Sequence, residues 1–94
     1  MKVKLQTVRI NIYGQVQGVF FRRSAKEVVD RLGLVGWIRN EVDGSVQAMA
    51  VGSKDKVEEF IKWCKKGPPM AKVERVEVDW NEEEQDFESF DIFS

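Results

Sequence analysis

From Val8 onward apolar and polar residues alternate: Val8, Ile10 and Ile12 fall on one side and Arg9, Asn11 and Tyr13 on the other. That is the period of a half-buried strand, predicted to end about Val16. Past Gly18 the period changes, and Ala25, Val28, Val29 and Leu32 recur at helical spacing until Gly33. An amphipathic helix stopped by a glycine is the expectation. "LVGWIRN", Leu34 to Asn40, and "SVQAMAVG" are rich in strand formers, and Asp43-Gly44 between them reads as a tight hairpin. Val57, Phe60, Ile61 and Cys64 mark a second helix, with Ser53 as N-cap and Gly67, Pro68 and Pro69 as its end. "AKVERVEVDW" places Val73, then Val76, Val78 and Trp80, on strand spacing with one interruption that fits a bulge. Acidic "NEEEQD" is expected to be a solvated loop, and "FESFDIFS" a short edge strand.

The order is therefore βαββαβ over a single domain, residues 1–94. Two helices with one apolar stripe each must cover one face of an antiparallel four- to five-stranded sheet, the α+β sandwich of ferredoxin-like folds. Right-handed crossovers make the first and second strands parallel, with the third between them. The loop from Gln15 to Phe21 and the residue Asn40 then share one sheet edge, about 10 Å apart, twice the strand spacing.

Composition narrows the chemistry. Forty-three per cent of the 94 residues are hydrophobic and 33% charged, with only two prolines, as in a soluble globular protein. No apolar run approaches a membrane span, and "MKVKLQTVRINIYG" lacks the apolar stretch of a signal peptide. The expected location is cytoplasmic, with no membrane partner. No histidine occurs and Cys64 is the only cysteine, which excludes an intrachain disulfide, Ser/His and Cys/His nucleophile pairs and histidine metal ligands. Cys64 reads as a small buried hydrophobe. Net charge is −1, yet residues 1–40 carry +6 and residues 41–94 carry −7. A basic half suggests an anionic ligand, although helices and an acidic tail can differ in charge without one.

"GQVQGVFFRRS", Gly14 to Ser24, breaks a local rule, because Arg22 and Arg23 stand in the first helical turn, where the helix dipole disfavours cations. Gly14 and Gly18 permit close approach of a ligand, and no proline from Gly14 to Phe21 removes a backbone donor. A curled run of amides feeding a helix start is an anion cradle. Neither GxGxxG nor GxxxxGK[ST] spacing is present, so the common nucleotide loops do not apply. Taken alone, the loop is equally a strand-to-helix turn with surface arginines.

Four linked segments add weight. "GQVQGVFFR", "GWIRN", "DGSVQ" and "GPPMAKVERV" resemble, in order and spacing, the acylphosphatase family. The resemblance implies metal-free, cofactor-free hydrolysis of small acyl phosphates to carboxylate and inorganic phosphate. By position it places the phosphate-binding arginine at Arg22, with the loop amides of Gln15, Val16, Gln17, Gly18, Val19, Phe20 and Phe21, and the water-orienting asparagine at Asn40. The residue types suit the chemistry. A guanidinium carries a fixed charge and a planar fork of donors, while an asparagine accepts from water without repelling phosphate. A carboxylate leaving group needs no strong general acid.

Arg23 has no family role and reads as a solvated side chain or a second electrostatic contribution. Phe20 occupies a place that the family often gives to a smaller residue, either narrowing the loop's outer wall or packing. Trp37, Trp63 and Trp80 read as packing residues, and Lys62, Lys65 and Lys66 as a solvated helix face. An RNA-binding module is the competing class, weakened by a pI of about 5.5 and by only one ring, Tyr13, on the first strand's open face. An accessory module handling carbamoyl phosphate is a third. The expected form is a monomer with no nucleic-acid partner.

Overall fold

A computed structural model describes residues 4–80 and 83–93. The elements are β1 (Leu5–Gln15), α1 (Phe21–Leu32), β2 (Val35–Asn40), β3 (Val46–Ser53), α2 (Lys54–Lys66), β4 (Lys72–Asp79) and β5 (Phe90–Phe93). One sheet runs in the order β4-β1-β3-β2-β5. Among β1 to β4 every pairing is antiparallel, so β1 and β2 run parallel with β3 between them, as the crossover rule requires. The fifth strand departs from the expected antiparallel sheet: β5 pairs parallel to β2, from Gly36↔Phe90 to Arg39↔Phe93, and the whole sheet is mixed. Its direction follows from the path of the chain. β4 ends beside the start of β1, and the acidic segment carries the chain to the start of β2 at the opposite edge.

Alternation along β1 works as read. Val8, Ile10 and Ile12 are fully buried under the helices, joined by Ile38 from β2 and Ala48 from β3. α1 adds Phe21, Ala25, Val28 and Val29, and α2 adds Val57, Phe60, Ile61 and Cys64. Burial pushes the Cys64 thiol up, so it stays a neutral packing group. Both helices end at glycines of positive φ, Gly33 in the left-handed helical conformation and Gly67 with an extended ψ. Ser53 holds the N-cap position of α2 without a capping hydrogen bond. Its hydroxyl instead bonds Asp55, one of the interactions that hold that carboxyl below its usual value.

The interruption in β4 is a bulge: Tyr13 pairs with Arg75 but Gly14 pairs with Val73, leaving Glu74 extra. At Gly14 the bulged strand comes so close that a Cβ would sit 2.1 Å from the Lys72 carbonyl oxygen. Only glycine permits this approach, at φ +130. The kink turns the chain out of the sheet where the loop to α1 begins. Glu83 to Asp86 are exposed and irregular, as expected of the acidic loop, whose Asn81 and Glu82 lie outside the described residues, as does Ser94. Among the described residues, no helix is long and apolar enough to cross a membrane.

Candidate active site

The site begins with two adjacent aromatic residues that part company. Phe21 is 2% exposed, packs its ring 5.2 Å from that of Trp63, and so anchors the first residue of α1 in the core. Phe20, 62% exposed, is held at φ 65 and ψ 24, a left-handed conformation that costs a bulky residue roughly 1–2 kcal/mol. This turn compresses the chain between Val16 and Phe21 into a tight loop.

Its amides have little else to do. Among the described residues, no N–H from Gln17 to Arg23 donates to a backbone carbonyl, and the first to do so is Ser24, to Phe20 at 3.0 Å. α1 has no acid in its first turn. The helix start therefore combines free donors, the positive end of the dipole and two guanidinium groups.

Val46 of β3 pairs with Ile12 on one side and Asn40 on the other, which fixes Asn40 two strands from β1. Gln17 joins the halves, its side-chain Nε2 donating to the Glu41 carbonyl at 2.8 Å and to the Ser45 carbonyl at 2.9 Å. The hairpin after Asn40 is itself held closed: Glu41 N–H donates to Ser45 O, and both the N–H and the hydroxyl of Ser45 donate to Asp43. Those two bonds hold the Asp43 carboxyl below its usual value.

A pocket of about 290 Å³ lies between these parts, lined by Arg22, Arg23, Asn40 and the apolar Val16, Phe20, Phe21 and Ile92, with Gly18 in its wall. Asn40 Oδ1 is buried and has no hydrogen-bond partner. Arg22 Nη1 donates to the Phe93 carbonyl at 2.6 Å, which ties the guanidinium to β5. Among the described residues, no group of three or more Asp, Glu, Cys or His is arranged to hold a metal ion.

Of the residues singled out from sequence, Val16, Gly18, Phe20, Phe21, Arg22 and Asn40 meet at this pocket. Gln15 ends β1 opposite Lys72, Val19 packs against the core, and the Gln17 side chain bridges to the hairpin. Arg23, open between two readings, lines the pocket too. Two contributions were not foreseen, the Ile92 side chain and the Phe93 carbonyl. Alternation of Phe90 and Ile92 was the available signal, but it named no neighbouring strand.

The acylphosphatase profile matches residues 8–92, nearly all of the stretch that builds the sheet, the loop and the pocket. The chain belongs to the acylphosphatase family. Members of this family are hydrolases of acyl phosphate anhydrides. An acylphosphatase of Pyrobaculum islandicum is 50% identical over 91 residues, covering 94% of this chain and 96% of that relative. The crystal structure of the acylphosphatase from Bacillus subtilis superposes with a TM-score of 0.91 at 32% identity, over 97% of this chain and all of that one. The fold recurs in a full-length HypF in its phosphate- and nucleotide-bound form, at TM-score 0.89 and 24% identity, where this chain corresponds to 12% of the longer protein. On the open face of the acylphosphatase sheet the rings already have neighbours. Tyr13 lies under Arg75 at 4.0 Å, and Trp37 is covered by Arg39 at 4.7 Å and by the Phe93 ring at 6.1 Å.

Proposed function

We propose that the pocket is where this acylphosphatase-family chain cleaves its substrate, with Arg22 and the loop amides from Gln15 to Phe21 binding the phosphoryl group and Asn40 orienting the attacking water. Support comes above all from one juxtaposition: an arginine, a run of uncommitted amides and an unpartnered buried amide oxygen line a single cavity. Two phosphoryl oxygens match the guanidinium fork, and the third faces the helix start. Asn40 Oδ1 accepts a hydrogen bond from water, which turns the water's lone pair toward phosphorus. The new P–O bond forms as the bond to the acyl oxygen breaks, and the electron pair leaves on the carboxylate. The water's proton passes to solvent or to the product phosphate.

The transition state is loose, so positioning and charge stabilisation supply most of the acceleration. Carboxylates ionise near pH 4, so the leaving group departs without a proton donor. That suits a pocket among whose described lining residues there is no carboxylate, lysine or cysteine. We further take residues 1–94 as one domain acting as a cytoplasmic monomer, without cofactor, nucleic acid or membrane partner.

The test is hydrolysis of benzoyl phosphate by the purified chain with a chelator present. Turnover well above the spontaneous rate is expected; a rate at background sinks the proposal. Gel filtration should give the mass of one 10.9 kDa chain.

A further inference from the structure

The pocket's lining is mixed, with Arg22, Arg23 and Asn40 beside the apolar Val16, Phe20, Phe21 and Ile92. Val16 and Phe21, at 1% and 2% exposure, are core residues, but Phe20 and Ile92 are 62% and 43% exposed on the same cavity. Isolated exposed apolar side chains call for no explanation. Two that flank a cationic pocket, 72 residues apart in sequence, form a feature, and one of them is held at a φ that glycine or asparagine adopts at less cost.

In-line displacement fixes what the rim must meet. Attacking and leaving oxygens lie on opposite sides of phosphorus, so a water held by buried Asn40 Oδ1 forces the acyl group outward, to the mouth of the pocket. Resting on the active-site reading above, we infer that Phe20 and Ile92 form an acyl subsite that selects uncharged, apolar acyl phosphates, aromatic ones above all, over small ones. A benzoyl group lays a ring against both side chains and removes apolar area from water, whereas an acetyl group reaches neither fully. The subsite acts through kcat/KM, because remote contacts also hold the phosphoryl group in line.

The experiment compares kcat/KM for benzoyl and acetyl phosphate in the wild type, Phe20→Asn and Ile92→Ser, with inhibition by inorganic phosphate measured alongside. Asparagine tolerates the left-handed backbone, so Phe20→Asn removes the ring while keeping the loop. The wild type should prefer benzoyl phosphate by about tenfold, equivalent to about 1.4 kcal/mol, and each variant should lose most of that preference while phosphate still inhibits. Equal kcat/KM on both substrates in the wild type, or an undiminished preference in both variants, overturns the subsite alone. Absence of turnover on either substrate in the wild type overturns the active-site reading, and the subsite with it.

Discussion

Asn40→Ala separates catalysis from stability, because activity and fold respond to it differently. The buried Oδ1 has no hydrogen-bond partner within the protein, so the fold draws no hydrogen bond from that oxygen. Alanine therefore gives up only some packing and strand propensity at that oxygen's position. The net change should stay within about 1 kcal/mol, which for a domain of this size moves Tm by no more than about 4–8 °C. Turnover should respond on another scale. Losing one fixed hydrogen-bonding group at the reacting centre typically lowers kcat by about 10²–10³, or about 2.7–4 kcal/mol. Steady-state hydrolysis of benzoyl phosphate gives kcat, phosphate inhibition gives ground-state binding, and thermal melting gives stability. The expected pattern is a collapsed kcat, phosphate affinity close to wild type, and an almost unmoved Tm. A kcat near wild type refutes the water-orienting role. A large fall in Tm refutes the physical premise, since it means the amide was holding the fold together.

Three further outcomes follow from other parts of the molecule. Phosphate at about 100 times its Kd should stabilise the wild type by about 2.7 kcal/mol, and Arg22→Lys, which keeps the charge but loses the fork, should cut this markedly when melting is followed with and without phosphate. Gly14→Ala, whose Cβ meets the Lys72 carbonyl at 2.1 Å, should destabilise the fold by about 3 kcal/mol through strain and overpacking, read as a lower urea midpoint at unchanged m. Ser45 holds the Asp43 carboxyl below its ordinary value, so its contribution to stability is present above that ordinary value and fades as the pH falls through its folded pKa. Wild type should therefore melt above Asp43→Asn at neutral pH, and the gap should close in acid; a gap independent of pH contradicts the Ser45 explanation.

The parts legible in the sequence were those governed by period. Val8, Ile10 and Ile12 announce their strand face, and the two helical stripes announce which side of the sheet is covered. The broken spacing between Val73 and Val76 even located the bulge in β4, although nothing in the sequence set Gly14 opposite it. Chain direction at the far edge was harder, because Phe90 and Ile92 alternate identically in a parallel and an antiparallel strand. Only the path from the end of β4 decides it. The site was half legible for the same reason. Arg22 and Asn40 lie at ends of elements whose order fixes their meeting, whereas Ile92 and the Phe93 carbonyl enter through a strand with no assigned neighbour. Phe20 was conspicuous as a residue, but its left-handed backbone had no signal, since that conformation normally selects glycine or asparagine.

Three local costs converge on this one cavity: a phenylalanine at φ 65, cations in a first helical turn without an acid, and a buried amide oxygen without a partner. The phenylalanine backbone costs about 1–2 kcal/mol and each cation about 0.3–1 kcal/mol when considered alone. Chance would scatter such departures along the chain, and sequences that fold well keep their local choices consistent except where function intervenes. On the proposed reading, a bound acyl phosphate and its water resolve two of the three directly. The dianion would neutralise the crowded guanidinium groups and occupy the amides of the helix start, and the water would donate to Asn40 Oδ1. The third cost, at Phe20, is unaffected by phosphate alone, because the anion touches backbone there and leaves the ring exposed. It is offset only when the acyl group carries apolar surface to the rim. Substrate binding should accordingly stabilise the protein more than phosphate does at matched saturation, and by a larger margin for a non-hydrolysable benzoyl analogue than for an acetyl one.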